Sequence, residues 1–143
     1  MKNSFLSIIC FFCFALLSAQ NITGKWKTID DETGKEKSIV DIFEKDGKVY
    51  GKIIEILNPE KKDPKCTKCE GENKNKPILG MLIIDGLTKD DTVYDGGTIL
   101  NPSNGKVYSC RLKFDDNKDP NTLQVRGYIA FFYKTQYWQR IID

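Results

Sequence analysis

The stretch Asp95–Leu112, DGGTILNPSNGKVYSCRL, decides how the rest of the chain is read. Two β-type runs, Thr98–Leu100 and Lys106–Leu112, flank Asn101-Pro102-Ser103-Asn104-Gly105. A residue before proline is biased to extended geometry, and Asn-Gly tolerates positive φ, so the segment predicts a β-hairpin. Beyond the turn, Tyr108, Cys110, Leu112 and Phe114 share one face, opposite Ser109, Arg111 and Lys113. That period of two describes a strand with one dry face.

The same pattern recurs in both directions from the hairpin. Upstream, Ile22–Asp30 sets Ile22, Gly24, Trp26 and Thr28 on one face. Ser38–Glu44 and Val49–Leu57 flank an Asp46-Gly47 hairpin signal, and Gly51 suggests a bulge or a close backbone approach. Ile78–Gly86 is a nearly continuous apolar run, as expected of a strand covered on both faces. Thr92–Leu100 and Lys106–Phe114 complete the hairpin. Thr122–Ile129 places Leu123, Val125 and Gly127 opposite Gln124, Arg126 and Tyr128, and Thr135–Ile142 closes the chain with Trp138 and Arg140 on one face. Eight short strands without an amphipathic helix predict an all-β fold. Sequential hairpins favour an eight-stranded antiparallel up-and-down barrel, whose closure removes both sheet edges, over a Greek-key β-sandwich.

Before the first strand, Lys2 precedes Phe5–Leu17, 13 apolar or small residues, followed by Ser18-Ala19-Gln20. This order predicts a secretory signal peptide over residues 1–19, cleaved after Ala19. The run is too short to span a bilayer as a helix, which takes about 20 residues. Residues 20–143 then make one barrel domain, secreted or periplasmic, with no integral membrane span. Loss of Lys2 leaves 21 basic against 20 acidic residues. That balance argues neither for a polyanion partner nor for attraction to a membrane, and no nucleic-acid partner is expected. The pattern is equally compatible with a monomer and a homodimer.

The chain contains no histidine. The usual general base near neutral pH, the commonest metal ligand and every Ser-His-Asp or Cys-His scheme are therefore excluded. Glu55, Asp85 and Asp95 sit at strand ends as solvated turn flanks, so no catalytic residues are assigned and no cofactor is implied. The residues point away from an enzyme.

Three cysteines follow the leader: Cys66, Cys69 and Cys110. Outside the cytoplasm a pair forms a disulfide by default, and an odd count leaves one thiol over. A Cys66–Cys69 bridge closes a very short loop and gains roughly 2 kcal/mol at most from chain entropy. Either cysteine joined to Cys110 would instead pin the long loop Asn58–Pro77 to the central hairpin. The alternatives are a zinc site on the three thiolates, with Asp63 or Glu70 as fourth ligand, and a weaker thiol-exchange role.

Gly24-Lys25-Trp26 resembles the Gly-x-Trp signature of lipocalins and their calycin relatives. Trp138-x-Arg140 resembles the partner position, where a basic side chain crosses that tryptophan as the barrel closes. The chain further resembles a family of small secreted bacterial proteins, domain of unknown function 2147. The matching elements are Gly24-Lys25-Trp26, Gly51-Lys52-Ile53, Lys76-Pro77-Ile78-Leu79-Gly80, Gly96-Gly97-Thr98-Ile99, Pro102 with Gly105-Lys106-Val107-Tyr108, Val125-Arg126-Gly127-Tyr128 and Trp138-Gln139-Arg140. The resemblance implies a lipocalin-like fold and a Gram-negative envelope or secreted location, with no established activity. The stretch Phe131-Phe132-Tyr133-Lys134 departs from the family's pattern, which favours a glycine there.

Two functions follow as expectations. The first is a binding module for a small, partly apolar molecule, with Trp26, Tyr108, Arg126 and Trp138 as ligand-binding residues. If Trp26, Tyr108, Phe114 and Trp138 all point inward, the barrel is largely filled and the ligand sits at the rim. If Gly51, Gly96 and Gly127 face inward instead, room opens. The second is a structural or partner-binding envelope protein using loop 58–77, with the apolar residues Met81–Ile84 as a sticky patch.

Overall fold

The computed structural model describes residues 20–142. The expected leader, residues 1–19, lies outside the described residues. Eight strands follow in order: β1 (Gly24–Ile29), β2 (Glu36–Lys45), β3 (Lys48–Ile56), β4 (Leu82–Asp90), β5 (Val93–Asn101), β6 (Lys106–Phe114), β7 (Thr122–Ile129) and β8 (Phe132–Arg140). Each pairs antiparallel with the next, and β8 pairs with β1, giving a closed up-and-down barrel. The Greek-key sandwich is thereby excluded.

The dry faces anticipated from period two are the inner wall. Trp26 and Thr28 on β1 face the core with Ser38, Val40 and Ile42 on β2. Cys110 and Leu112 on β6 share that side with Leu123 and Val125 on β7, opposite Trp138 on β8. Trp26, Val40, Ile42, Ile84, Leu87, Leu112 and Leu123 are almost completely buried. Gly51 and Gly127 also face inward, yet they open no space. A Cβ at Gly51 would lie 3.0 Å from Ile84 Cδ1, and one at Gly127 would lie 3.2 Å from Tyr108 Cβ. Neighbouring side chains have already taken those positions.

The fourth strand departs from expectation. It runs over Leu82–Asp90, four residues later than the apolar run Ile78–Gly86 indicated. Ile78–Met81 forms a turn: Gly80 adopts φ +86°, and Met81 N–H donates to the Ile78 carbonyl. Gly86, expected to end the strand, instead lies within it. Lys52 pairs with Leu82 and Gly51 with Ile84, leaving Ile83 as an extra residue. This bulge allows Ile83 and Ile84 to be buried in succession, so the apolar run reflects a bulged strand and its preceding turn. Leu82 is exposed, which shows that both faces are not covered.

Strand β8 also begins earlier than expected, at Phe132, after a two-residue turn of Ala130 and Phe131 with Ala130 at φ +51°. The Asp46-Gly47 turn matches its reading, both residues having positive φ.

Closure rests on Trp26 and Arg140, which are direct partners in the β1–β8 register. The guanidinium stands 4.3 Å from the indole centroid and donates to the carbonyls of Thr23 (3.1 Å) and Asn21 (2.6 Å). The indole N–H donates to Ile22 O at 2.8 Å. Gly24 leaves room for this arrangement: its φ is +127°, and a Cβ there would lie 3.2 Å from Arg140 Nη1. Replacing Arg140 by alanine should therefore cost about 2 kcal/mol, from the cation–π contact and two charge-assisted hydrogen bonds. In a chain of this size that lowers the melting temperature by roughly 6–10 °C, measurable by calorimetry. Arg140→Lys should recover only part, because an ammonium lacks the planar fork.

Candidate functional site at the open end of the barrel

The β2–β3, β4–β5 and β6–β7 turns and both described chain ends lie at one end of the barrel, the base. The other four connections surround the opposite end. Here the inner face of β8 turns polar. Lys134, Gln136, Trp138 and Arg140 alternate along it, paired with Gly127, Val125 and Leu123 of β7 and with Trp26 of β1. The upper three are joined through Asp31 from the β1–β2 turn. Trp138 Nε1 donates to Gln136 Oε1 (3.0 Å), Gln136 Nε2 donates to Asp31 Oδ2 (2.6 Å), and Lys134 Nζ lies 2.9 Å from the same oxygen. This contact with Asp31 raises the Lys134 pKa above its ordinary value. On the turn itself, backbone N–H groups of Thr33 and Glu32 hold the Asp30 carboxyl below its usual range.

Lys37 enters from the other side. Ile29 pairs with Glu36 and Thr28 with Ser38, so Lys37 is the extra residue of a bulge in β2. Its Nζ donates to Ser103 Oγ at 2.8 Å, on the β5–β6 connection. Those two segments stand on opposite sides of an eight-strand ring, so the lysine bars the opening. Burial lowers its pKa, with Asp30 and Asp31 opposing that shift and Lys61 and Lys134 adding to it. Below it, the hydroxyls of Thr28 and Ser38 satisfy one another at 2.7 Å. Tyr108 leans over Gly127, and its hydroxyl accepts from Asn104 Nδ2 at 2.9 Å.

The four side chains expected to bind a ligand are not all brought together. Trp26 and Trp138 are buried, and Tyr108 faces the open end half-buried. Arg126 stands on the outer wall, because Val125 and Gly127 on either side of it face inward. There it lies 4.6 Å from the Tyr133 ring centroid and donates Nε to Thr135 Oγ1. Sequence reasoning missed Asp31, Lys37, Lys134 and Gln136. Extending the period of Trp138 and Arg140 back by two and four residues finds Gln136 and Lys134. The bulge that aims Lys37 has no local signal.

One hollow, of about 250 Å³, is at the base, beside Glu44, Gly47 and Lys89 and against the core residues Val49 and Tyr94. The other is a shallow groove on the outer wall beside Asp95, Gly96, Ser109, Arg111 and Tyr128. Asp95 lies 3.7 Å from Arg111.

Cys66 and Cys69 are joined as a disulfide, and Cys110 is a free, buried thiol. The three sulfurs therefore do not assemble as a zinc site, and among the described residues no cluster of three His, Cys, Asp or Glu side chains could hold a metal. The long loop is nevertheless pinned to the central hairpin, by packing. Gly105, at φ +71°, lies so close to the Lys68 carbonyl that no Cβ could fit, and Cys66 Sγ lies 3.4 Å from Pro102 O. Of the patch expected at Met81–Ile84, Met81, Ile83 and Ile84 are buried and Leu82 alone is exposed.

A family described as "Uncharacterized protein conserved in bacteria (DUF2147)" matches residues 24–140, from the glycine under Arg140 to Arg140 itself. The chain belongs to this family. Among solved structures, protein HP1028 from the human pathogen Helicobacter pylori is similar, with TM-score 0.72 and 25% identity over 86% of this chain and 84% of that one. It is described as belonging to the lipocalin family. No curated protein matches. The DUF2147 barrel of this chain is thus lipocalin-like in fold, and none of its described helices is long and apolar enough to cross a membrane.

Burial pushes the Cys110 thiol up to about 12, so it is protonated and shielded at neutral pH. Titration of the oxidised chain from Gln20 onward with a thiol reagent should find no reactive group when folded. One should appear on denaturation, and three on denaturation with reductant.

Proposed function

We propose that this protein is a non-catalytic binding module for a small, partly apolar molecule, exported to the periplasm or beyond. The molecule is held at the open end of the barrel. The observation that carries this reading is the polar rim of a lipocalin-like barrel, where Lys134, Asp31 and Gln136 are linked down to Trp138 and Lys37 reaches across to Ser103. An eight-stranded barrel is just wide enough to be filled by its own side chains or to enclose one small ligand. Here the lower part is filled, so the ligand takes the rim. Its apolar portion rests toward Tyr108 and Trp138, and its polar portion, an anionic group, meets Lys37. The Cys66–Cys69 disulfide and the basic, apolar, small-residue order of residues 1–19 support export.

Titration with medium-chain carboxylates, followed by calorimetry and by tryptophan emission, tests the reading. Binding at micromolar concentration is expected, and Lys37→Ala should weaken it by about tenfold through loss of a charge-assisted hydrogen bond. Absence of binding across such a panel would overturn the proposal.

The pH dependence has a defined sign. The ammonium form of Lys37 is the one that attracts an anion, and burial has lowered its pKa. Affinity should fall as pH rises through a value below that of an ordinary lysine. Lys37→Arg should hold its affinity to higher pH, because guanidinium stays protonated.

A further inference from the structure

The β7–β8 connection carries the two most exposed apolar side chains in the described chain. Phe131 is fully exposed, Phe132 is 75% exposed and Tyr133 62%, with Ile129 at 46%. Ile129 pairs with Phe132 as the last rung of the hairpin, and the turn beyond it is only Ala130 and Phe131. The rings therefore stand on a short, hydrogen-bonded projection at the rim. Burying a phenylalanine gains about 1.5–3 kcal/mol, so leaving two in water is costly unless something covers them. A fluid bilayer interface accepts a wedge of aromatic rings carried on such a projecting two-residue turn.

The charge around this end is mixed, with Asp30, Asp31 and Glu32 on the β1–β2 turn and the cations concentrated on the β3–β4 loop. Among the described residues, the ion pairs are Lys27–Glu36, Arg111–Asp95 and Lys134–Asp31. Arg126, three rungs back from the tip, meets the Tyr133 ring and the Thr135 hydroxyl and forms no ion pair among the described residues. The β3–β4 loop opens at the same end and bears Lys61, Lys62, Lys65, Lys68, Lys74 and Lys76, all exposed, against four carboxylates. Each unpaired cation near an anionic leaflet contributes about 1 kcal/mol. We infer that the Phe131–Phe132 tip inserts into an anionic phospholipid bilayer, with Arg126 and the loop lysines against the headgroups. The open end then faces the membrane.

Trp26 and Trp138 are buried away from the tip, so a Phe131→Trp variant reports the tip's environment. With vesicles of phosphatidylcholine containing about 30 mol % phosphatidylglycerol, its extra emission should shift to the blue and be quenched by brominated acyl chains. Raising the salt concentration should weaken the response. In co-sedimentation, the double variant Phe131→Ser/Phe132→Ser should partition at least about tenfold less than the parent, while melting at an unchanged temperature. Unaltered sedimentation of the double variant would overturn the inference, as would a silent reporter or equal binding to neutral vesicles. If the parent instead dimerises without lipid and the double variant does not, the tip binds a second copy of the chain and the bilayer assignment falls. Carboxylate binding at the rim is measured without vesicles, so the two proposals fail separately.

Discussion

The barrel depends on the contact between the Trp26 indole and the Arg140 guanidinium. The seam they occupy has the shortest ladder in the ring. Only Trp26↔Arg140 and Lys27↔Gln139 are in register between β1 and β8, whereas β7 and β8 share eight such pairs. Backbone bonding alone would leave this edge prone to opening or to pairing with another chain. Side chains compensate. Arg140 covers the ring and ties down the carbonyls of Thr23 and Asn21, the indole N–H satisfies Ile22, and Ile141 N–H reaches Lys25 O. Burial pulls the Arg140 pKa below its ordinary value, but the group remains charged at any physiological pH. The lock is therefore insensitive to the proton.

Sealing the base in this way constrains everything above it. The indole of Trp26 and the side chains of Ile42, Leu112 and Leu123 occupy the lower barrel. Inner-wall glycines do not relieve the crowding, since Ile84 and Tyr108 have moved into the positions beside Gly51 and Gly127. Polarity is thus displaced to the rim. There the inner face of β8 changes from Trp138 to Gln136 and Lys134, and Asp31 reaches in to meet them. One strand carries both the closing arginine and the polar rim, so the position of Trp138 fixes both ends at once.

Much of this was legible in the sequence because β1, β6 and β7 alternate without interruption. The turns at Asp46-Gly47 and Asn104-Gly105 carry residues that tolerate positive φ. The fourth strand was misplaced because hydrophobicity does not distinguish a strand from an apolar turn. The backbone at Gly80 and the bulge at Ile83 set the true boundaries. Arg126 shows a different failure. Its parity opposed Leu123 and Val125, which placed it outside, yet its chemistry led it to be grouped with inward residues. Lys37 was illegible for a third reason. Its direction comes from an extra residue in β2, and its partner Ser103 is 66 positions away.

Lys37 also differs from the rest of the rim in the partner it meets. Asp31 stands within hydrogen-bond reach of Lys134 and Gln136, while the ammonium of Lys37 meets a neutral hydroxyl. A partly buried cation loses hydration, and a serine oxygen returns less than a carboxylate would. The depressed pKa is the trace of that imbalance, produced by burial and only partly opposed by Asp30 and Asp31. Substituting a hydrophobic residue would remove the strain, but the bar across the opening would become inert. On the reading proposed above, an anion would supply the missing counter-charge and replace the hydrogen bond to Ser103 with a stronger one.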